Sequence, residues 1–97
     1  MNNLDVIKKF LMKENAQTNI RNIVNGYYTY KGRTLQTKNS NMGFCLYNYN
    51  TVIAFILDNK LYLNTHKYSQ TTSKIQTQLR CQALYTKYKI IEYDEIV

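Results

Sequence analysis

Near the start of the chain Leu4, Ile7 and Leu11, with Phe10 beside them, recur at helical spacing. Asn3 is the expected N-cap. Asp5 falls in the first turn, where the helix dipole favours a negative charge. Lys8, Lys9 and Lys13 lie off the apolar stripe. A second stripe, Ala16, Ile20, Ile23 and Val24, falls on the side opposite Ile7 and Leu11 when stepped at about 100° per residue. One straight helix would therefore be apolar on two faces. The pattern predicts a break near Glu14–Gln17 and a second helix stopped by Asn25-Gly26, with the glycine as left-handed cap.

From Tyr27 the period changes to two. Tyr27 to Lys31 reads as a strand, Lys31-Gly32 as a tight turn and Arg33 to Thr37 as the return. Lys38 to Met42 is polar and rich in turn formers, so a loop is expected. Phe44 to Tyr49 is the next strand. Thr51 to Leu57 is nearly all apolar and reads as a central strand buried on both sides. Asp58-Asn59 turns the chain into Lys60 to Asn64. After a polar stretch, Ile75, Leu79, Ala83 and Leu84 form a helical stripe. Thr72 is the expected N-cap, with a competing capping box from Ser73 and Gln76. Lys89 to Tyr93 is a final strand. The expected architecture is α+β: an antiparallel β-meander of about five strands, with N-terminal helices and one later helix packed on one face, in one domain over residues 1–97.

Charge gives this scaffold a direction. Thirteen Lys and Arg face six Asp and Glu, a net of +7. Between Arg21 and Ile91 ten basic residues meet one acid, Asp58, a net of +9, while Glu92, Asp94 and Glu95 gather at the end. Such a field attracts polyanions and speeds encounter with them, although it also fits a small domain kept soluble by charge. Cys45 and Cys81 are too few for a disulfide framework or a four-cysteine zinc site, and read as buried reduced thiols. No apolar run approaches the ~18 residues of a membrane span, and the polar start shows no signal peptide, so a cytoplasmic setting is expected. Twelve Asn and ten Tyr, with no Pro or Trp, suggest an AT-rich genome.

The residues offer little for catalysis. His66 is the only histidine, and no acid stands at a recognisable spacing to orient it. The carboxylates are scattered, whereas general acid–base and two-metal chemistry need them positioned. No phosphate-binding loop, dinucleotide fingerprint or serine elbow is present. No cofactor and no metal are expected.

Two binding signals remain. The first is the run Lys67, Tyr68, Ser69, Gln70, Thr71, Thr72, Ser73, Lys74 at a helix start. Hydroxyls there cap the helix or hold an anion, with lysines on either side. The second is tyrosine mixed with cations. Tyr27, Tyr28 and Tyr30 precede Lys31 and Arg33, and Tyr47 and Tyr49 are expected on one strand face. Exposed aromatics on a sheet can stack bases while Lys or Arg holds phosphates, but tyrosine is also simply a good strand former. The candidate contact residues are Lys67, Tyr68, Ser69, Thr71, Thr72, Ser73, Lys74, Arg80, Tyr47, Tyr49, Lys31 and Arg33.

The stretch Leu46-Tyr47-Asn48-Tyr49-Asn50-Thr51-Val52-Ile53-Ala54, with Leu61-Tyr62-Leu63-Asn64-Thr65 and the block Lys67-Tyr68-Ser69-Gln70-Thr71-Thr72-Ser73-Lys74, resembles a family of small bacteriophage and mobile-element proteins that share a YNT-x-IA … KYS-x-TTSK pattern. The resemblance covers roughly residues 44–80. It implies a phage accessory protein acting inside a bacterial host, and such proteins often block host defence, CRISPR nucleases included. The leading expectation is a non-enzymatic inhibitor of a host nucleoprotein such as a CRISPR effector. The alternatives are a sequence-tolerant single-stranded DNA or RNA binder and a small nuclease. The expected partner is a host nucleoprotein or nucleic acid, with no membrane and no small-molecule substrate. A free sheet edge leaves room for a homodimer.

Overall fold

The computed structural model describes residues 2–18, 21–24, 27–30 and 35–94, excluding the side chains of 21–24 and 27–30. Helix α1 spans Asn3–Leu11. Its cap lies one residue earlier than the sequence predicts: the Asn2 side chain accepts from the Asp5 backbone N–H at 2.8 Å, and the Asp5 carboxylate accepts from the Asn2 N–H. This reciprocal box satisfies two of the donors that a helix start leaves open. Val6, Ile7, Phe10 and Leu11 are buried, and the Phe10 ring stacks on Phe44 with centroids 5.7 Å apart.

The predicted second helix is replaced by extended chain. Gln17 bridges Gln36 in antiparallel fashion, the Thr18 N–H donates to the Leu35 carbonyl at 2.8 Å, and the Thr37 N–H donates to the Ala16 carbonyl at 2.9 Å. Strand β1 (Arg21–Val24) then pairs with β2 (Tyr27–Tyr30) as a separate two-stranded sheet. Asn-Gly between two β-forming runs is the strongest short hairpin signal, and the same dipeptide also ends helices. Here the hairpin prevails. The pairing of β2 with a return strand from Arg33 is overturned with it. Asn25-Gly26 and the Lys31-Gly32 turn lie outside the described residues.

The main sheet runs in the order β3 (Leu35–Ser40), β4 (Gly43–Asn48), β5 (Thr51–Leu57), β6 (Lys60–Asn64), β7 (Lys89–Tyr93). The first four strands form an antiparallel meander, and β7 lies parallel to β6. A parallel neighbour needs a crossover, which helix α2 (Gln70–Ala83) supplies. The expected loop from Lys38 is strand as far as Ser40, because its backbone pairs with Gly43 to Cys45. Asp58 and Asn59 both adopt left-handed φ, 53° and 60°, as a two-residue hairpin of this hand requires.

Both helices cover one sheet face. Leu35, Phe44, Leu46, Leu61 and Leu63 point into them and meet Ile75, Leu79 and Ala83 of α2. The register slips between Leu46 and Tyr47, leaving Ile53 as an extra residue on β5, so that Ile53 and Ala54 are both buried. The Tyr88 hydroxyl donates to the Leu11 carbonyl at 2.9 Å and ties the end of α1 to the segment before β7. Cys45 is buried as expected, but Cys81 is exposed on α2.

Candidate anion-binding site

The hydroxyl-rich segment does begin a helix, with Ser69 rather than Thr72 or Ser73 as the cap. The Ser69 Oγ accepts from the Thr72 N–H at 3.2 Å, so α2 starts at Gln70. Thr72 turns inward, and its Oγ1 accepts from Asn48 Nδ2 at 2.7 Å and from Ser69 Oγ at 3.1 Å. This pins the helix start to the end of β4. Thr72 is therefore buried and removed from any contact surface.

Asn64, also buried, fixes the approach to the helix. Its Nδ2 donates to the Val52 carbonyl at 3.0 Å and to the Tyr68 hydroxyl at 2.8 Å, while its Oδ1 accepts from the His66 N–H at 2.9 Å. Gln76 Nε2 on α2 donates to the carbonyls of Asn64 and His66 at 2.8 and 3.0 Å. Residues 64–68 are thus strapped between β6 and α2. The strap leaves a groove of about 150 Å³ lined by Thr65, Lys67, Ser73, Gln76, Thr77 and Arg80 over a floor that includes Leu63 and Leu79. Lys74 borders an adjoining hollow with Ser73, Thr77 and Gln78.

Three expected contact residues, Lys67, Ser73 and Arg80, therefore meet in one groove, and Lys74 lies beside it. Arg80 Nη2 is 3.3 Å from Glu92 Oε1, with both side chains more than half exposed. Such a pair contributes little, and most of the guanidinium donors stay available. Thr65, Gln76 and Thr77 also line the groove. The helical spacing of Ser73, Gln76, Thr77 and Arg80 was the signal that could have found Gln76 and Thr77 on the face of Ser73 and Arg80. Thr71 is exposed on the first turn, and Tyr68 is half-buried against Asn64.

The tyrosines lie elsewhere. Tyr47 follows buried Leu46 and precedes buried Asn48, so alternation sends it to the sheet face opposite the helices. The strand ends at Asn48, and Tyr49 sits in the following turn at φ 56°, 60% exposed. The expectation that Tyr47 and Tyr49 share a strand face fails because the turn breaks the alternation. Lys31 and Arg33 lie outside the described residues.

His66 does have an orienting acid. Its Nδ1 is 2.8 Å from Asp94 Oδ1, and its ring meets the edge of Tyr68 at 4.7 Å between centroids. The parallel pairing of Asn64 with Tyr93 brings these positions together. Among the described residues no group of three or more His, Cys, Asp or Glu is placed to hold a metal ion. Among the same residues, no helix is long and apolar enough to cross a membrane.

Residues 7–96 match the family of unknown function DUF8033, and the chain belongs to that family. No curated protein and no solved structure matches it.

Proposed function

We propose that this DUF8033 chain is a non-enzymatic binding protein whose partner is a nucleoprotein, and that the groove beside α2 takes an anionic group of that partner. The observation that carries the reading is the convergence of Lys67, Ser73 and Arg80 on one groove, with Lys74 at its side. Two cations, Lys67 and Arg80, and the Ser73 hydroxyl give charge-assisted donors for a phosphate or carboxylate, while Thr77 lines the groove with its Oγ1 donating to the Ser73 carbonyl at 2.9 Å. The net charge of +7 would draw a polyanion toward it. In the phage setting implied by the resemblance over roughly residues 44–80, the partner would be a host defence complex such as a CRISPR effector, and the protein would act by occupying it. A basic inhibitor of this kind contacts guide RNA, DNA or an acidic patch rather than imitating DNA.

The test is capture of purified CRISPR effectors, assembled with their guides, by the immobilised protein. A stable complex weakened by the double variant Lys67→Gln/Arg80→Gln supports the reading. No complex with any effector would count against it.

A further inference from the structure

The sheet face turned away from the helices carries a second pattern. Cross-strand partners share a face, so the register across the five strands sets Lys38, Cys45, Phe55, Tyr62 and Ile91 in one row. At the strand spacing of about 4.8 Å this row is roughly 19 Å long. The Phe55 and Tyr62 rings lie parallel, 4.4 Å between centroids and 9° between planes, and Tyr93 tilts against Phe55 at 5.8 Å. Tyr47, opposite Val52, adds an aromatic one pair along. All four rings are half-buried, Cys45 in the same row is buried, and among the described residues the helices that pack on the sheet lie on its other side.

The charges on this face are of one sign. Lys38 ends the row, and the register places Lys60 and Lys89 together at its margin, all three exposed. The carboxylate within these strands, Glu92, alternates to the helix side and pairs with Arg80. Among the described residues the outward positions of the five strands are thus aromatic, aliphatic, polar or cationic, and none is acidic.

We infer that this face binds unpaired RNA or DNA, with bases stacked on Tyr47, Phe55, Tyr62 and Tyr93 and phosphates held by Lys38, Lys60 and Lys89. Every base offers a flat π surface, so such a platform accepts many sequences, whereas a duplex hides its base faces. The proposal rests on the reading that the partner carries nucleic acid, and it names the surface that takes the unpaired strand.

The test is a fluorescence-anisotropy titration of the full chain against labelled single-stranded DNA and RNA oligonucleotides and a duplex of the same sequence, at two salt concentrations. Single strands should bind at low salt and the duplex at least tenfold more weakly. Tyr62→Leu and Tyr47→Leu, which keep apolar bulk but lose the ring, should each weaken single-strand binding about tenfold. Changing Lys38, Lys60 and Lys89 to Gln should reduce the slope of log K against log salt by about 2. Since the chain has no Trp, quenching of its own tyrosine fluorescence by an unlabelled oligonucleotide gives a readout that needs no variant to fold. Absence of single-strand binding at low salt, duplex binding as tight as single-strand binding, or ring variants that bind like the wild type would each overturn the proposal. Lys67→Gln/Arg80→Gln removes the groove's cations and should lower affinity for single strand and duplex alike while the preference for single strands and the tyrosine quenching persist, whereas the ring variants remove that preference, so a failed groove and a failed sheet face give different results.

Discussion

Gly43 opens β4 at φ +113°, a region that side chains rarely adopt. A Cβ built there would lie 2.3 Å from the Ile56 carbonyl oxygen and 3.3 Å from the Leu57 Cβ. The obstructing atom is backbone of the central strand, so relief requires β4 and β5 to separate where Phe44 pairs with Ile56. The unfavourable φ costs about 1–3 kcal/mol and the overpacking about 1–3 kcal/mol more. Gly43→Ala should therefore destabilise by about 3–5 kcal/mol. A domain of this size holds roughly 5–15 kcal/mol in total, so the variant should fold but melt about 15–30 °C lower. Urea denaturation followed by far-UV circular dichroism measures this as a lower midpoint at unchanged slope. Lys38→Ala, exposed on the edge strand, is the control and should stay within about 0.5 kcal/mol of wild type. A Gly43→Ala loss below about 1 kcal/mol would refute the close approach of the two strands.

Asn64→Ala removes both Nδ2 bonds and the acceptor for the His66 N–H, and should cost about 2–4 kcal/mol. Hydrogen exchange of the His66 amide should accelerate more than exchange in β5, because the strap over residues 64–68 loses its anchor. Ser69→Ala should cost about 1 kcal/mol, read by thermal melting, whereas Thr71→Ala, with its exposed hydroxyl, should be near neutral. Tyr88→Phe should cost about 1 kcal/mol through the lost bond to the Leu11 carbonyl, measured in the same denaturant series.

The parts of the fold that were legible in sequence are those whose period allows one reading. Lys60 to Asn64, the Asp58-Asn59 turn and Ile75, Leu79 and Ala83 of the later stripe lie where the pattern puts them, whereas Leu84, expected in the same stripe, caps the helix and is exposed. Residues 16–24 were not legible, because β-branched residues at mixed spacing followed by Asn-Gly fit a capped helix as well as a hairpin. The apolar run Thr51 to Leu57 indicated a central strand, and β5 is central, but not for the reason expected. The bulge turns both Ile53 and Ala54 inward, and Phe55 faces out onto Tyr62. The site divides the same way. Lys67, Ser73 and Arg80 were visible as a basic, hydroxylated helix start and its continuation. The choice of Ser69 as cap among four neighbouring hydroxyls depends on where Asn48 arrives. The His66–Asp94 pair and the row from Lys38 to Ile91 exist only once the strand register is set, which no local window contains.

The central claim is that the partner is met through its nucleic acid. The most direct measurement compares binding of the wild-type protein to one guide-loaded effector and to the same effector stripped of RNA, at two salt concentrations. The loaded complex should bind more tightly, and its affinity should fall more steeply as salt rises, because contacts to phosphates release counterions. Equal affinity for the loaded and stripped effector, with the same dependence on salt, would contradict the claim.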